Sequence, residues 1–225
     1  MTEKFSNLIH DKNCFKREAL ETRMQIVGVK NIARMELFLW DLEIFLQLQK
    51  ILGEKLALKG GAAVQFYLPV HEQRTSVDID MLFYGNFNEI QQALSKVEDS
   101  FPHDNDLFVY HQHIPERPKT KLPLYTYYLK VPSVCIQREI RDGDKGQQRI
   151  KIEFIICHDR FPISQVLGNN IFAMVSNETY HVLPINYLFA DKLTTLGPNT
   201  IGIQDERMDE QIKQLYEIYS MLSPH

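Results

Sequence analysis

Apolar positions dominate the first part of the chain. Between residues 15 and 52 they recur at helical spacing, and after Met35 they leave little polar surface. This pattern predicts one long helix that is largely buried and ends at Gly53. Residues 1–53 are therefore predicted to form an N-terminal helical segment.

The centre of the chain changes to a pattern typical of strands, rich in Tyr, Val and Ile. The predicted strands are residues 55–59, 77–84, 107–114, 124–131, 134–140 and 149–156. Short helices are predicted at 61–67 and 87–97. Residues 54–183 should thus form an α/β core built on a small mixed sheet.

Helical periodicity returns near the C-terminus. Residues 185–196 predict one helix, and residues 205–222 predict another. The apolar stripe of the second helix is Met208, Ile212, Leu215, Tyr219 and Leu222. Residues 184–225 are predicted to form a C-terminal helical segment. The predicted fold is therefore α/β, with a small mixed sheet, flanking helices and helical segments at both ends.

Composition narrows the function classes. The 225 residues are 44% hydrophobic and 24% charged, which suits one globular unit. The net charge of −4 excludes a global basic field, so any nucleic-acid contact must be local. Cys14, Cys135 and Cys157 form no CxxC pair, which argues against a disulfide framework or a zinc site. No apolar run approaches the roughly 18 residues of a membrane helix, so we expect a soluble cytoplasmic protein without membrane contact.

Two carboxylates lie two residues apart on the strand predicted for residues 77–84. Asp78 and Asp80 should point to one face of this strand, roughly 6.5 Å apart along it. They repel each other unless a cation lies between them, and Ile79 and Met81 mark the strand as buried, where a free carboxylate is costly. Because hard dications prefer oxygen ligands, the pair predicts a magnesium site, with manganese as the alternative metal.

A third acid, Glu153, lies inside the apolar strand predicted for residues 149–156. If that strand neighbours the Asp78 strand, the three carboxylates form a cage for two metal ions. One ion would activate an attacking hydroxyl, and the other would bind a triphosphate. The alternative for Glu153 is an edge-strand residue paired with Lys151 or with a nearby Arg.

The Gly60-Gly61 pair lies between a predicted strand and a predicted helix. Glycines let the backbone approach a ligand closely, and the N–H groups at a helix start suit a phosphate. Lys59 can reach a phosphate or pair with an acid. Arg74 and Ser76 can contact phosphate or orient the first aspartate, and Ser76 can alternatively cap a turn.

Three motifs occur in order: Lys-Gly-Gly at 59–61, Arg-x-Ser-x-Asp-x-Asp at 74–80 and Lys-Ile-Glu-Phe at 151–154. They resemble the polymerase-β-like nucleotidyltransferase superfamily, and within it the AbiEii/AbiGii toxins of toxin–antitoxin pairs. The resemblance covers roughly residues 55–219. It implies that Lys192 matches a helical lysine near the triphosphate. Arg207 and Lys213 match part of a fourth motif, in which Gln214 and Glu217 stand where the family often has Asp.

The resemblance implies transfer of a nucleoside monophosphate from a nucleoside triphosphate to a hydroxyl. Asp78, Asp80 and Glu153 would be the metal ligands, and Lys192 would stabilise the developing charge. The nucleotide-binding residues would be Lys59, Gly60, Gly61, Arg74, Ser76, Lys192, Arg207 and Lys213. Ala62 departs from the family, which usually has Ser or Thr after Gly-Gly, so weaker phosphate binding is expected.

RNA is the acceptor that the resemblance implies, at the 3′ end of transfer RNA, and a cognate antitoxin protein is the expected partner. Two alternatives stay open: transfer of a nucleotide to a protein hydroxyl, and a non-catalytic binding module that kept the fold. The product labelled by each triphosphate, whether RNA, protein or nothing, would separate the three.

Two further clusters have open interpretations. His111 and His113 alternate on a predicted strand, so they are either two metal ligands on one face or surface histidines. Basic residues also occur on either side of Tyr125, Tyr127 and Tyr128. These are Arg117, Lys119, Lys121, Arg138, Arg141, Lys145, Arg149 and Lys151. Such a mixture can hold single-stranded RNA ends or can form solvated hairpin tips.

Overall fold

The computed structural model describes residues 6–102, 104–115, 123–140, 143–144, 146–196 and 208–222. Within these residues, seven strands form one mixed sheet in the order β3-β4-β5-β2-β1-β7-β6. The strands are β1 (Leu56–Lys59), β2 (Asp78–Tyr84), β3 (His111–His113), β4 (Leu124–Pro132), β5 (Gln147–Cys157), β6 (Ser164–Leu167) and β7 (Thr179–Val182). The pairs β2–β5 and β1–β7 are parallel, and the other pairs are antiparallel.

Helices flank this sheet. They are α1 (Arg17–Val27), α2 (Ile32–Leu52), α3 (Gly60–Val64), α4 (Phe87–Asp99), α5 (Ile185–Thr195) and α6 (Met208–Leu222). The long helix α2 contacts β1, β2, β5 and β7, and strand alternation sends Ile79, Met81 and Phe83 of β2 into the core beneath it. Asp78 and Asp80 therefore lie on the opposite face, here called the open face. The predicted α/β fold with a mixed sheet and flanking helices is confirmed.

The N-terminal helix is broken, and the prediction of one helix over residues 15–52 is wrong. Gly28 ends α1 with a φ of 74°, a left-handed conformation that glycine adopts without steric cost. Asn31 then caps α2, because its side-chain oxygen accepts a hydrogen bond from the backbone N–H of Arg34 at 3.0 Å. The predicted burial of the second part is confirmed, since α2 is buried almost throughout.

The segment predicted as a strand at residues 134–140 is not one. Pro132 ends β4, and a short 3₁₀ turn over Gln137–Glu139 follows. A buried carboxylate of α2, Glu36, accepts hydrogen bonds from Ser133 Oγ at 2.5 Å and from the backbone N–H of Val134 at 2.7 Å. These bonds hold the segment against the helix instead of in the sheet.

The strand predicted at residues 107–114 is reduced to the three residues of β3. Asn105, Asp106 and Phe108 have positive φ angles of 56°, 64° and 60°, and such backbone cannot continue a strand. Conversely, β6 and β7 were not predicted. Each has only four residues and carries polar side chains, such as Gln165 and His181, so the apolar alternation is too short to detect.

The two C-terminal helices are present, although the residues around the predicted end of the first and the start of the second lie outside the described part. The apolar stripe of α6 does not face the protein: Ile212, Leu215, Tyr219 and Leu222 are each more than half exposed. Its buried side is polar instead, with Glu217 and Ser220. Among the described residues, no helix has the length and apolar character that crossing a membrane requires.

Candidate functional site

Strand register brings the predicted acids together on the open face. Asp80 on β2 pairs with Glu153 on β5 on one side and with Lys59 on β1 on the other. Glu153 in turn pairs with Thr126 on β4. This line of four residues across four strands is called the carboxylate row. Asp78 lies one step along β2, on the same face, so three carboxylates share this part of the sheet.

Glu153 is already engaged by neighbouring side chains. Thr126 Oγ1 donates a hydrogen bond to Glu153 Oε1 at 3.0 Å, and Lys151 Nζ lies 2.8 Å from Glu153 Oε2. The pairing with Lys151 that was the alternative interpretation is therefore present. The edge position in that interpretation is wrong, because β5 lies between β4 and β2 in the sheet.

Like charge accumulates at Asp80. Burial raises the pKa of its carboxyl, and the nearby charge of Glu153 raises it further. Asp78 acts in the same direction, while Lys59 and Lys151 oppose it, and the pKa of Asp80 is raised to about 6. Crowded carboxylates with hard oxygen donors are a donor set that a divalent cation would satisfy. In the part of the chain that the structure describes, no three His, Cys, Asp or Glu side chains form a ready metal-ligand group, so metal binding stays a prediction.

The Gly60-Gly61 turn lies directly beside this row. Gly60 has a φ of +69°, and a Cβ on it would overlap the carboxylate oxygen Asp80 Oδ2. A Cβ on Gly61 would lie 2.9 Å from Arg74 Nη2 and 3.3 Å from Ser76 Oγ. Gly60 is therefore favoured by close approach and by its left-handed backbone, whereas a side chain at position 61 would displace the end of the Arg74 side chain. The turn leads into α3, a helix of only five residues.

A buried carboxylate joins two of the predicted cationic residues. Glu217 of α6 has no exposed surface. Its Oε1 accepts from Arg74 Nη2, and its Oε2 lies 2.6 Å from Lys192 Nζ. These three residues are called the ionic triad. The structure thus joins Arg74 and Lys192 through one carboxylate on α6, and Arg74 and Glu217 lie beside Gly61.

Other predicted residues are placed differently. Lys59 Nζ lies 3.0 Å from Asp191 Oδ1, so the predicted alternative of pairing with an acid is present and ties β1 to α5. Ser76 Oγ donates to the backbone oxygen of Asp78 at 3.4 Å, as in a turn. Lys213 is exposed on α6. Arg207 lies outside the described residues, as do Arg117, Lys119, Lys121, Arg141 and Lys145.

Three residues near the site were missed from the sequence: Thr126, Asp191 and Asp41. Asp41 is 1% exposed on α2, and among the described residues neither of its carboxyl oxygens has a hydrogen-bond partner. Burial raises its pKa well above the usual range, and the charges of Asp78 and Asp80 act in the same direction. The sequence did contain a signal for Asp41, because an acid inside a helix with almost no polar face is costly to bury.

The alternating histidines are not brought to a metal-ligand set. His111 and His113 are both exposed on β3, at the edge of the sheet. His111 contacts Asp106 at 3.2 Å, and the His113 ring lies edge-on to Tyr128 with centroids 5.8 Å apart. Of the two interpretations, metal ligands or surface histidines, the structure supports surface histidines.

This mixed sheet with flanking helices is the fold predicted for a polymerase-β-like nucleotidyltransferase. The family model described as "Nucleotidyl transferase AbiEii toxin, Type IV TA system" matches residues 44–225. The chain therefore belongs to the AbiEii family of nucleotidyl transferase toxins. No curated protein matches the chain.

Solved structures with similar folds include JHP933 from Helicobacter pylori. It is 16% identical with a TM-score of 0.48, and the match covers 81% of this chain and 64% of that one. The Megavirus polyadenylate synthase is 10% identical with a TM-score of 0.41, and the match covers 98% of this chain and 35% of that one. The chain thus spans less than two thirds of the length of either structure.

Proposed function

We propose that this chain transfers a nucleoside monophosphate from a nucleoside triphosphate to a hydroxyl of RNA, at the 3′ end of transfer RNA, as the toxin of a toxin–antitoxin pair. One observation carries the proposal: a cluster of three carboxylates meets two cations, the buried Lys192 and the half-buried Arg74, near the Gly60-Gly61 turn. The carboxylates favour a divalent cation, while the cations favour an anion. A magnesium-bound triphosphate combines both requirements.

The triphosphate would lie on the β1 side of the carboxylate row. Arg74 and Glu217 approach Gly61 there, and Lys192 shares the carboxylate of Glu217 with Arg74. The two cations and one anion of the triad leave a net positive charge near the backbone of Gly61, which carries no side chain. Phosphoryl transfer depends on positioning and charge stabilisation, so this is where pyrophosphate would be stabilised as it leaves.

In the reaction, the acceptor hydroxyl oxygen forms a bond to the α-phosphorus. The bond between the α-phosphorus and the oxygen that bridges to the β-phosphate breaks, and its electron pair leaves with pyrophosphate. Glu153 would accept the hydroxyl proton, because it is the carboxylate farthest from Lys59 in the row. Asp78, Asp80 and Glu153 would hold magnesium, which when bound activates the hydroxyl and neutralises phosphate charge.

Family membership supports the remaining parts of the proposal. A toxin of a toxin–antitoxin system implies a cognate antitoxin as the partner that controls it. RNA is preferred over a protein hydroxyl as the acceptor because the open face beyond Glu153 carries basic and aromatic side chains. Arg149 lies over the ring of Tyr128, with its guanidinium carbon 4.9 Å from the ring centroid.

The test is an incubation of the protein with each labelled nucleoside triphosphate, magnesium, total RNA and lysate protein. We expect label in RNA, no label after chelation of magnesium, and no label with Asp80→Asn. Label in protein would support the alternative acceptor and overturn the RNA proposal. Absence of any product would favour a non-catalytic module.

Metal binding can be measured apart from turnover. Calorimetric titration of Mg²⁺ or Mn²⁺ into the protein without nucleotide should give binding that Asp80→Asn weakens. Equal binding by both proteins would contradict the assignment of the acids as metal ligands. The experiment does not depend on which acceptor the enzyme uses.

A further inference from the structure

The carboxylate row runs across the strands of the open face, from β1 to β4. The β1 end is the end proposed to bind the triphosphate. Starting from Glu153, the register passes to Thr126 on β4 and then to His113 on β3. The leaving pyrophosphate and the attacking hydroxyl lie on opposite sides of the reacting phosphorus in an in-line displacement. If the triphosphate lies over β1, the acceptor must approach over β5 and β4.

Two different surfaces adjoin the row on that side. Along β4, Tyr128 and Leu124 lie two residues from Thr126 in opposite directions, so each is roughly 7 Å from it. Tyr128 pairs with Lys151 on β5 and with His111 on β3. In the other direction, the described pair that adjoins the row is apolar, because Leu124 pairs with Ile155. An acceptor leaving the site can follow either surface.

The surface around Tyr128 has the chemistry of a single-stranded nucleic-acid site. The guanidinium of Arg149 lies over the Tyr128 ring, and Arg149 pairs in register with Lys130 on β4. Arg149 is exposed, and Tyr128 and Lys130 are half-buried. Acids are present at the margin: Asp106 lies 3.7 Å from Lys130 Nζ and 3.2 Å from His111. Asp144 Oδ2 lies 3.9 Å from Lys130 Nζ.

We infer that the Tyr128–Arg149 pair is the platform on which the acceptor RNA places a base next to its reacting 3′ hydroxyl. Aromatic rings and guanidinium planes stack on bases of any sequence, and the flanking lysines suit the phosphates. Among the described residues, Leu124 pairs with an apolar residue, whereas Tyr128 has Arg149 over its ring and pairs with Lys151, which favours the Tyr128 direction. This inference rests on the proposed function, because it assigns a place to the RNA acceptor.

The experiment measures RNA binding without turnover. A short labelled single-stranded oligoribonucleotide with a free 3′ hydroxyl is titrated with the protein, without nucleotide, and its fluorescence anisotropy is followed. Tyr128→Ala should weaken binding about tenfold, the scale of one lost stacking contact. Tyr128→Phe should bind like the parent protein, because the ring is kept.

Charge and direction are separated by two further variants. Arg149→Ala should weaken binding and reduce its salt dependence by about one phosphate contact. Leu124→Ala is the matched control at the same distance from Thr126, and its RNA binding should be unchanged. Thermal melts of all variants identify any that fail to fold. If Tyr128→Ala fails to fold, the RNA affinities of Tyr128→Phe and Arg149→Ala are compared instead.

Equal RNA binding by Tyr128→Ala and Leu124→Ala would overturn the platform. Loss of binding with Leu124→Ala alone would reverse the direction, and impaired labelling of protein by that variant would assign the face to a protein acceptor. A third outcome is RNA binding that depends on Tyr128 and Arg149 in a protein that transfers no nucleotide. This outcome would contradict the proposed function but support the platform. The two failures are therefore distinguishable.

Discussion

Two clusters of charge meet at the Gly60-Gly61 turn, and they are built in opposite ways. In the first, Asp78, Asp80 and Glu153 place like charges on one strand face, and the pKa of Asp80 is raised to about 6 by burial and by its acidic neighbours. In the ionic triad, opposite charges are paired: the buried carboxylate of Glu217 contacts both Arg74 and Lys192. Lys59 and Lys151 neutralise the first cluster only in part, so a divalent cation would stabilise it further, whereas the carboxylate of the second is matched by two cations.

The difference shows which part of the site is preorganised. Paired charges with little exposure are held by their partners and by packing, so the triad can receive phosphate without rearrangement of its own charges. Crowded carboxylates are costly until a dication joins them. We therefore expect substitutions in the first cluster to affect reaction rate most, and substitutions in the triad to affect nucleotide binding and stability together.

Removing one acid of the carboxylate row should have the largest effect. Asp80→Asn keeps the shape of the side chain but removes a charge, so transfer should fall by roughly a thousandfold. Stability should be unchanged or higher, because one of three mutually repelling groups is gone. Transfer assays beside a thermal melt measure both. A variant that keeps its activity would show that the crowded carboxylates do not take part in the reaction.

Gly60→Ala probes the contact between the turn and Asp80. The new Cβ would overlap Asp80 Oδ2, so the carboxylate must move, and transfer should fall by about a hundredfold. Gly28→Ala is the matched control, because Gly28 also has a positive φ of 74°, but a Cβ added there would meet no neighbouring atom within 4 Å.

Each substitution costs roughly 1–2 kcal/mol of stability for the left-handed backbone. Only Gly60→Ala should also lose activity. If both variants lose activity equally, backbone strain and not the position of Asp80 is responsible.

Lys192→Ala tests whether the triad binds nucleotide or only neutralises Glu217. Loss of the ammonium should weaken triphosphate binding by about 1.5–3 kcal/mol, measured by calorimetry with magnesium. It also leaves Glu217 with fewer partners in a fully buried site, so stability should fall. The double variant with Glu217→Gln also removes the charge of the carboxylate that Lys192 contacts. Recovery of stability without recovery of affinity supports phosphate binding by Lys192, whereas recovery of both would assign it a purely structural role.

The sequence predicted the fold better than it predicted the contacts within the site. The buried helix and the strands bearing Asp80 and Glu153 have long, regular patterns, and the structure has them. The triad could not be derived from spacing, because Glu217 contacts residues far away in sequence and its helix buries a polar side. The apolar stripe of α6, including Leu215 and Tyr219, pointed to the opposite face. Periodicity identifies a helix, but the partner of each face depends on tertiary contacts.

The smallest effect is expected at Ala62, where the chain departs from the family. Had this side chain faced the phosphate path, Ala62→Ser would tighten triphosphate binding. In the structure Ala62 is 1% exposed and belongs to the hydrophobic core. A hydroxyl there would be buried without an assured partner, so Ala62→Ser should cost about 1–3 kcal/mol of stability and leave nucleotide affinity unchanged.

Nucleotide affinity and melting temperature measured on the same Ala62→Ser variant decide between the two outcomes. Ala62→Gly is a useful second variant, because it leaves the space empty and adds no polar group. If Ala62→Ser binds triphosphate more tightly at unchanged stability, the hydroxyl reaches the phosphate after all, and the turn is more open than its packing indicates. Lower stability with equal affinity would mean that the turn binds phosphate through its backbone N–H groups and the neighbouring triad alone, without the hydroxyl that the family usually supplies.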